Sequence, residues 1–149
     1  MVEIGYIIGD FELKDQRDQL FKTRDHKGKK MLLSFHPLAW TPVCRDQMLS
    51  LEKNYERFQT LNTIPLGISI DSVFCKRAWG DAIGISKTHL LSDFWPHGGL
   101  ALRLGLFRHK DGFSERANVI LDEEGVVTFI KIYPIQELPD IEEIFAKIR

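Results

Sequence analysis

The sequence is short of cysteine, of unbalanced charge and of long apolar runs, and each shortage removes a class of protein. Its two cysteines form no Cys-x-x-Cys pair and are too few for the disulfide framework of a small secreted scaffold. Twenty Lys and Arg against twenty-one Asp and Glu, interspersed along the chain, leave no basic face or arm for nucleic acid and no polybasic cluster for a membrane surface. No apolar run approaches transmembrane length. No internal repeat, low-complexity tract or linker interrupts the chain. Met1-Val2-Glu3-Ile4 lacks the charged and apolar regions of a secretory signal, and with two thiols this predicts a reducing compartment, the cytoplasm. What is there is an ordinary soluble composition, 44% hydrophobic and 28% charged, over 149 residues. That length suits one domain, residues 1–149, with a proper core.

Periodicity orders the elements. Two short strands, Phe11–Leu13 and Leu20–Lys22, are expected as an N-terminal hairpin extension, followed by a turn at Asp25–Lys29. Lys30 to Phe35 reads as a strand buried on both faces. Met48, Leu51, Tyr55 and Phe58 recur at helical spacing and predict one amphipathic helix from Cys44 to about Phe58. Ile64–Ile70 is a second buried strand. Asp71-Ser72 caps a helix carrying Phe74, Cys75, Ala78, Trp79 and Ile83 and closed by Gly84. Leu90–Gly99 reads as an aromatic loop, and Leu100–Leu104 as a short helix. Two strands, Ala117–Leu121 and Val126–Ile132, flank a hairpin turn, and a last helix carries Ile141, Ile144, Phe145 and Ile148. The order predicts an α/β fold: a central mixed sheet with helices on both faces and sites at its carboxyl edge.

One stretch concentrates the chemistry, Ser34 to Met48. The strand breaks at Pro37, and Thr41-Pro42 is a helix start, with Thr41 as the expected N-cap acceptor and Pro42 at the first position. Cys44 then falls in the first turn, where unpaired amides and the positive end of the helix dipole favour a thiolate. A cysteine so placed supports disulfide exchange, acyl transfer, metal ligation or peroxide reduction. Position 47 is Gln, so the thioredoxin-type dithiol is absent. None of His26, His36, His89, His97 and His109 forms a recognisable pairing with Cys44 as a hydrolase base, and no metal-ligand spacing is present. A thiolate whose chemistry is its own oxidation remains.

Pro37-x-x-x-Thr41-x-x-Cys44 resembles the active-site signature of the peroxiredoxins of the AhpC/TSA family, thiol peroxidases on a thioredoxin-like fold. Asp10-Phe11-x-Leu13, Ser69-Ile70-Asp71-Ser72, Phe74-Cys75-x-x-Ala78-Trp79, and Arg116 before a strand ending Asp122-x-x-Gly125 match the family in order and spacing. Leu90 to Gly98 is most similar to the one-cysteine branch named alkyl hydroperoxide reductase E. The resemblance implies a peroxidase without metal or other cofactor, acting on hydrogen peroxide and organic hydroperoxides. Cys44 would attack the O–O bond and become a sulfenic acid. Thr41 would hydrogen-bond the thiolate and the peroxide, Arg116 would supply a fixed cation, Pro37 would shield the pocket, and the Val43 and Cys44 amides would cradle the anion.

Several readings stay open at this level. Arg116 read without the family is equally a solvated residue paired with Glu115. Gln47 stands where the family often has Glu, removing a negative charge, and His36, where Phe or Tyr is common, is expected to make activity pH-dependent near neutrality. Cys75 is the one internal candidate for a resolving thiol, because the C-terminal segment used by two-cysteine relatives is not in this sequence. The expectation is therefore resolution by an external thiol: thioredoxin-like, glutaredoxin-like or of low molecular weight. The alternatives are a two-cysteine peroxidase using Cys75, or a peroxide-sensing relay or chaperone-like protein. Phe94 and Trp95 are expected at a subunit contact, in a homodimer or higher oligomer.

Overall fold

The computed structural model describes residues 1–148. A two-stranded antiparallel hairpin, β1 (Glu12–Lys14) and β2 (Leu20–Lys22), precedes a 3₁₀ turn at Thr23–His26. The chain continues through β3 (Lys30–Phe35), α1 (Pro42–Lys53), α2 (Tyr55–Thr60), β4 (Thr63–Ser69), α3 (Val73–Ile83) and β5 (His89–Ser92). After α4 (Gly99–Arg103) come a small hairpin, β6 (Phe107–Arg108) and β7 (Phe113–Ser114), then β8 (Arg116–Leu121), β9 (Val127–Tyr133) and α5 (Ile141–Lys147).

The central sheet has five strands in the order β5-β4-β3-β8-β9. β3, β4 and β5 run parallel, while β8 is antiparallel to β3 and β9 to β8. β3 and β8 are buried along their whole length, as near-continuous apolar strands covered on both faces must be. Alternation divides the core. Leu32 and Ile120 face Met48, Leu51, Phe58, Trp79 and Ile144 of the helices α1, α2, α3 and α5. Leu33, Phe35, Leu66, Ile68 and Val119 face Phe11, Phe21, Leu100 and Leu104 of the N-terminal hairpin and α4. α1 lies so close to β4 that a Cβ on Gly67 would meet Met48 Sδ at 2.2 Å, so glycine is what permits the approach.

The expected mixed α/β sheet is present, with local departures. The expected helix Cys44–Phe58 is two helices that meet at Asn54, whose N–H donates to Leu51 O. The expected loop from Leu90 to Gly99 begins as strand: His89–Ser92 pairs with Leu66–Ser69 of β4. Gln16, from the N-terminal hairpin, closes that edge, donating to Thr88 O at 2.9 Å and accepting from Leu90 N–H at 2.9 Å. The Asp25–Lys29 turn starts earlier, as the 3₁₀ turn, and the first strand is shifted by one residue. The β6–β7 hairpin was not anticipated. Among the described residues no helix is long and apolar enough to cross a membrane.

Candidate active site

The parallel strands end at one edge, and the turns that follow them bring the candidate residues together. After Phe35, the His36 N–H still donates to Ile68 O at 3.0 Å, and Pro37 then ends the pairing. The loop Pro37–Thr41 is tied to the next turn by Asp71, whose carboxylate accepts from the Ala39 N–H at 2.8 Å and the Ser69 hydroxyl at 2.6 Å. Trp40 sits at φ +69° with its ring half out in solvent, a conformation that a non-glycine residue adopts at a cost. Pro42 opens α1 and Thr41 is its N-cap in extended backbone, as expected. The Thr41 hydroxyl, however, accepts no amide hydrogen bond. It donates to Leu38 O at 2.7 Å, because the loop turns that carbonyl toward it. The Arg45 N–H closes onto Thr41 O at 3.0 Å, so the Val43 and Cys44 amides stand in the first turn ahead of it.

Cys44 is fully buried, in contact with the apolar layer that contains Met48. Arg116, from the start of β8, reaches it: Nη1 lies 3.4 Å from Cys44 Sγ and donates to Gln47 Oε1 at 2.7 Å. Arg116 Nε donates to Ile135 O at 2.8 Å. The side chain is 2% exposed, and none of these three contacts is a carboxylate. The solvated reading is therefore excluded; Glu115 pairs with Arg108 instead, at 2.7 Å. Gln47 is fixed from behind by donating to Ser34 Oγ at 2.7 Å and Phe35 O at 3.1 Å. The guanidinium is thus aimed by a neutral amide, and its charge faces the sulfur unopposed.

Behind this set lies a buried pair. Lys76 Nζ of α3 is 2.7 Å from His36 Nε2, and both side chains are fully enclosed. Burial first, then the charge of Lys76, pushes His36 well below its ordinary range, so His36 is not the group that titrates near neutrality. Lys76 is: burial pulls its ammonium down to about 7, against the opposing pull of Asp71, Cys44 and Cys75. Cys75 is half-buried, its thiol directed at Asp71 Oδ1 at 3.6 Å, and burial and that carboxylate push its pKa up.

The arrangement is a buried thiol at a helix start with a fixed guanidinium against it, on a thioredoxin-like sheet. A family model described as AhpC/TSA matches residues 4–130. The chain belongs to the AhpC/TSA family of peroxiredoxins. It is 32% identical over 141 residues to alkyl hydroperoxide reductase E of Mycobacterium tuberculosis (strain H37Rv), covering 94% of this chain and 92% of that one. The crystal structure of Enterococcus faecalis AhpC superposes with a TM-score of 0.91 at 29% identity, covering 99% of this chain and 91% of that one. The reduced 2-Cys peroxiredoxin of Plasmodium vivax follows at TM-score 0.87 and 25% identity, covering 99% and 81%. Peroxiredoxins are thiol-dependent peroxidases, and this chain is an enzyme of that kind, with a peroxide as substrate and a thiol as reductant.

Of the residues expected at a peroxiredoxin site, Cys44 and Arg116 are in contact, with the Val43 and Cys44 amides in the turn between them and Thr41. Pro37 is buried at the start of the loop. The Thr41 hydroxyl is not bonded to the thiol, since its proton is committed to Leu38 O. Ser34, Asp71, Lys76 and the Ile135 carbonyl belong to the cluster and were not foreseen. Lys76 had a signal: Lys76, Trp79, Gly80 and Ile83 share one helical stripe, and the first three are buried, whereas Phe74 on the assumed apolar face is 74% exposed. Among the described residues no group of three or more His, Cys, Asp or Glu is placed to hold a metal ion.

Proposed function

We propose that Cys44 is the peroxidatic cysteine of a one-cysteine peroxiredoxin whose sulfenic acid is resolved by an external thiol. The observation that carries this is the Arg116 guanidinium 3.4 Å from a buried Cys44 Sγ at a helix start. The thiolate attacks the distal peroxide oxygen. An S–O bond forms as the O–O bond breaks, and the alkoxide or hydroxide leaves to take a proton from water. Arg116 opposes the negative charge on sulfur and follows it toward the leaving oxygen. The Val43 and Cys44 amides line the same turn. Thr41, its proton given to Leu38 O, offers an acceptor for the peroxide O–H, and the buried Pro37 keeps water from the loop side.

The state of Cys75 supports external resolution. Its thiol is held by Asp71 and its pKa is raised, which suppresses the thiolate that disulfide formation requires. An incoming thiol condenses with the sulfenic acid to a mixed disulfide and releases water; a second thiol then frees Cys44. The test is mass spectrometry of peroxide-treated protein without reductant, paired with turnover assays using thioredoxin, glutaredoxin-type and low-molecular-weight thiols. Sulfenic or sulfinic Cys44 beside a free Cys75 is expected. A Cys44–Cys75 disulfide, within or between chains, would make this a two-cysteine enzyme.

The same proposal includes one domain, residues 1–149, that self-associates. Trp40, Phe74, Phe94 and Trp95 are all more than half exposed and follow the carboxyl ends of β3, β4 and β5. Trp95 is 82% exposed. An aromatic rim of this kind is suited to a partner surface, and a second copy of the chain is the proposed occupant. Two free thiols fit a reducing compartment such as the cytoplasm.

A further inference from the structure

The chemistry above leaves the buried Lys76–His36 pair unused. Two nitrogens 2.7 Å apart share a proton: one donates and the other must present a lone pair. With His36 neutral, the ammonium donates to Nε2, and the imidazole proton sits on Nδ1. A fully buried lysine without a direct carboxylate partner is costly to hold, and it calls for an anion nearby.

The groups that face the pair come from every element around it. Asp71 stands in the turn before α3, Cys75 on α3 itself, Cys44 on α1, and Arg116 at the start of β8. Asp71 is already engaged by Ala39 N–H, Ser69 Oγ and the Cys75 thiol. Cys75 keeps its proton toward Asp71. Of the acidic groups acting on the ammonium, Asp71 acts most strongly and Cys44 next, and Cys44 is the one the peroxidase reading makes reactive. Cys44 therefore has a permanent cation against its sulfur, and the buried ammonium of Lys76, held by His36, is a second, titratable charge that acts on it.

We infer that Lys76, held in place by His36, is a positioning residue for Cys44, a switchable second positive charge that stabilises the thiolate alongside Arg116. The inference rests on the reading of Cys44 as the reactive thiol. Lys76 donates no proton to substrate and touches no reacting atom; its charge alone acts. Because burial brings the ammonium near neutrality, that charge is lost as pH rises past about 7. Peroxide reactivity then falls on the alkaline side, opposite in sign to the gain from ordinary thiol ionisation.

The test measures the second-order rate of Cys44 oxidation by hydrogen peroxide from about pH 5 to about pH 9 in wild type, Lys76→Met and Lys76→Arg. Wild type is expected to show a descending alkaline limb. Lys76→Met is expected to be about tenfold slower below neutrality and to lack the limb. Lys76→Arg, whose charge does not titrate, is expected to recover part of that rate and also to lack the limb. A wild-type rate that only climbs to a plateau, or a limb that survives in either variant, overturns the inference. Should Lys76→Met not fold, wild type and Lys76→Arg decide it by the same criterion. Iodoacetamide labelling of Cys44, followed by peptide mass spectrometry, separates this inference from the peroxidase reading. A two-step profile in wild type that becomes single-step in Lys76→Met, in protein that consumes no peroxide, keeps the charge coupling and removes the peroxidase.

Discussion

Arg116 Nη1 stands 3.4 Å from Cys44 Sγ and donates at 2.7 Å to Gln47 Oε1, so one guanidinium is oriented by a neutral amide and aimed at a sulfur 72 positions away in sequence. Among the described residues Arg116 has no carboxylate to share its charge with. Replacing it with methionine leaves Gln47 Oε1 and Ile135 O without their donor and the thiolate without its fixed cation. The expected result is oxidation of Cys44 slowed by on the order of 10²–10³-fold. Rapid-mixing fluorescence with hydrogen peroxide measures it.

Gln47→Glu tests the value of neutrality at that position. The carboxylate would keep the contact to Arg116 but would place a negative charge one helical turn from Cys44. It would also lose the donor that now serves Ser34 Oγ and Phe35 O. An oxidation rate about tenfold lower at neutral pH is expected, read by the same mixing experiment.

Much of this arrangement was readable from the residues, and the parts that were not have physical reasons. Thr-Pro marks a helix start by backbone geometry alone, so the position of Cys44 followed from local rules, as did the buried β3. The Arg116–Cys44 contact depends on β8 pairing with β3, a non-local event for which only the family resemblance spoke. β5 was hidden because its four residues take their partners from β4 and run straight into an aromatic turn. Lys76 was missed because hydropathy assigns lysine to solvent, yet helical phase puts it beside Trp79 and Gly80 inside. The expected titration at His36 belongs to Lys76 for the same reason, since two buried bases in contact cannot both stay charged.

The buried lysine leaves its mark on stability. Its folded pKa of about 7 lies below its unfolded value of 10.5, so between these limits the unfolded chain binds a proton that the folded one lacks. Stability therefore rises with pH across that window, and below it the full penalty of the buried charge applies. Lys76→Met is expected to stabilise the fold at neutral pH by on the order of 2–4 kcal/mol and to abolish the rise toward alkaline pH. Urea unfolding at several pH values checks both.

Glu52 provides the opposite sign. Its carboxylate accepts from the backbone N–H groups of Ser86, Lys87 and Thr88, pinning the turn between α3 and β5 to α1, and against the upward push of burial these bonds hold its pKa down to about 2 from an ordinary 4.5. That stabilisation is fully present above pH 4.5 and is lost as pH falls through about 2. Glu52→Gln is expected to cost about 1–2 kcal/mol at neutral pH, with the difference from wild type shrinking as pH falls through that window. Thermal unfolding of the two proteins across the acid range measures it.

The central claim is that Cys44 carries the peroxidase chemistry, and single-turnover mixing with hydrogen peroxide tests it most directly. Wild type and Cys75→Ser are expected to lose one thiol per chain rapidly, in step with peroxide consumed, whereas Cys44→Ser consumes none. Peroxide consumption that persists in Cys44→Ser, or that disappears in Cys75→Ser while Cys44 remains, would contradict the account.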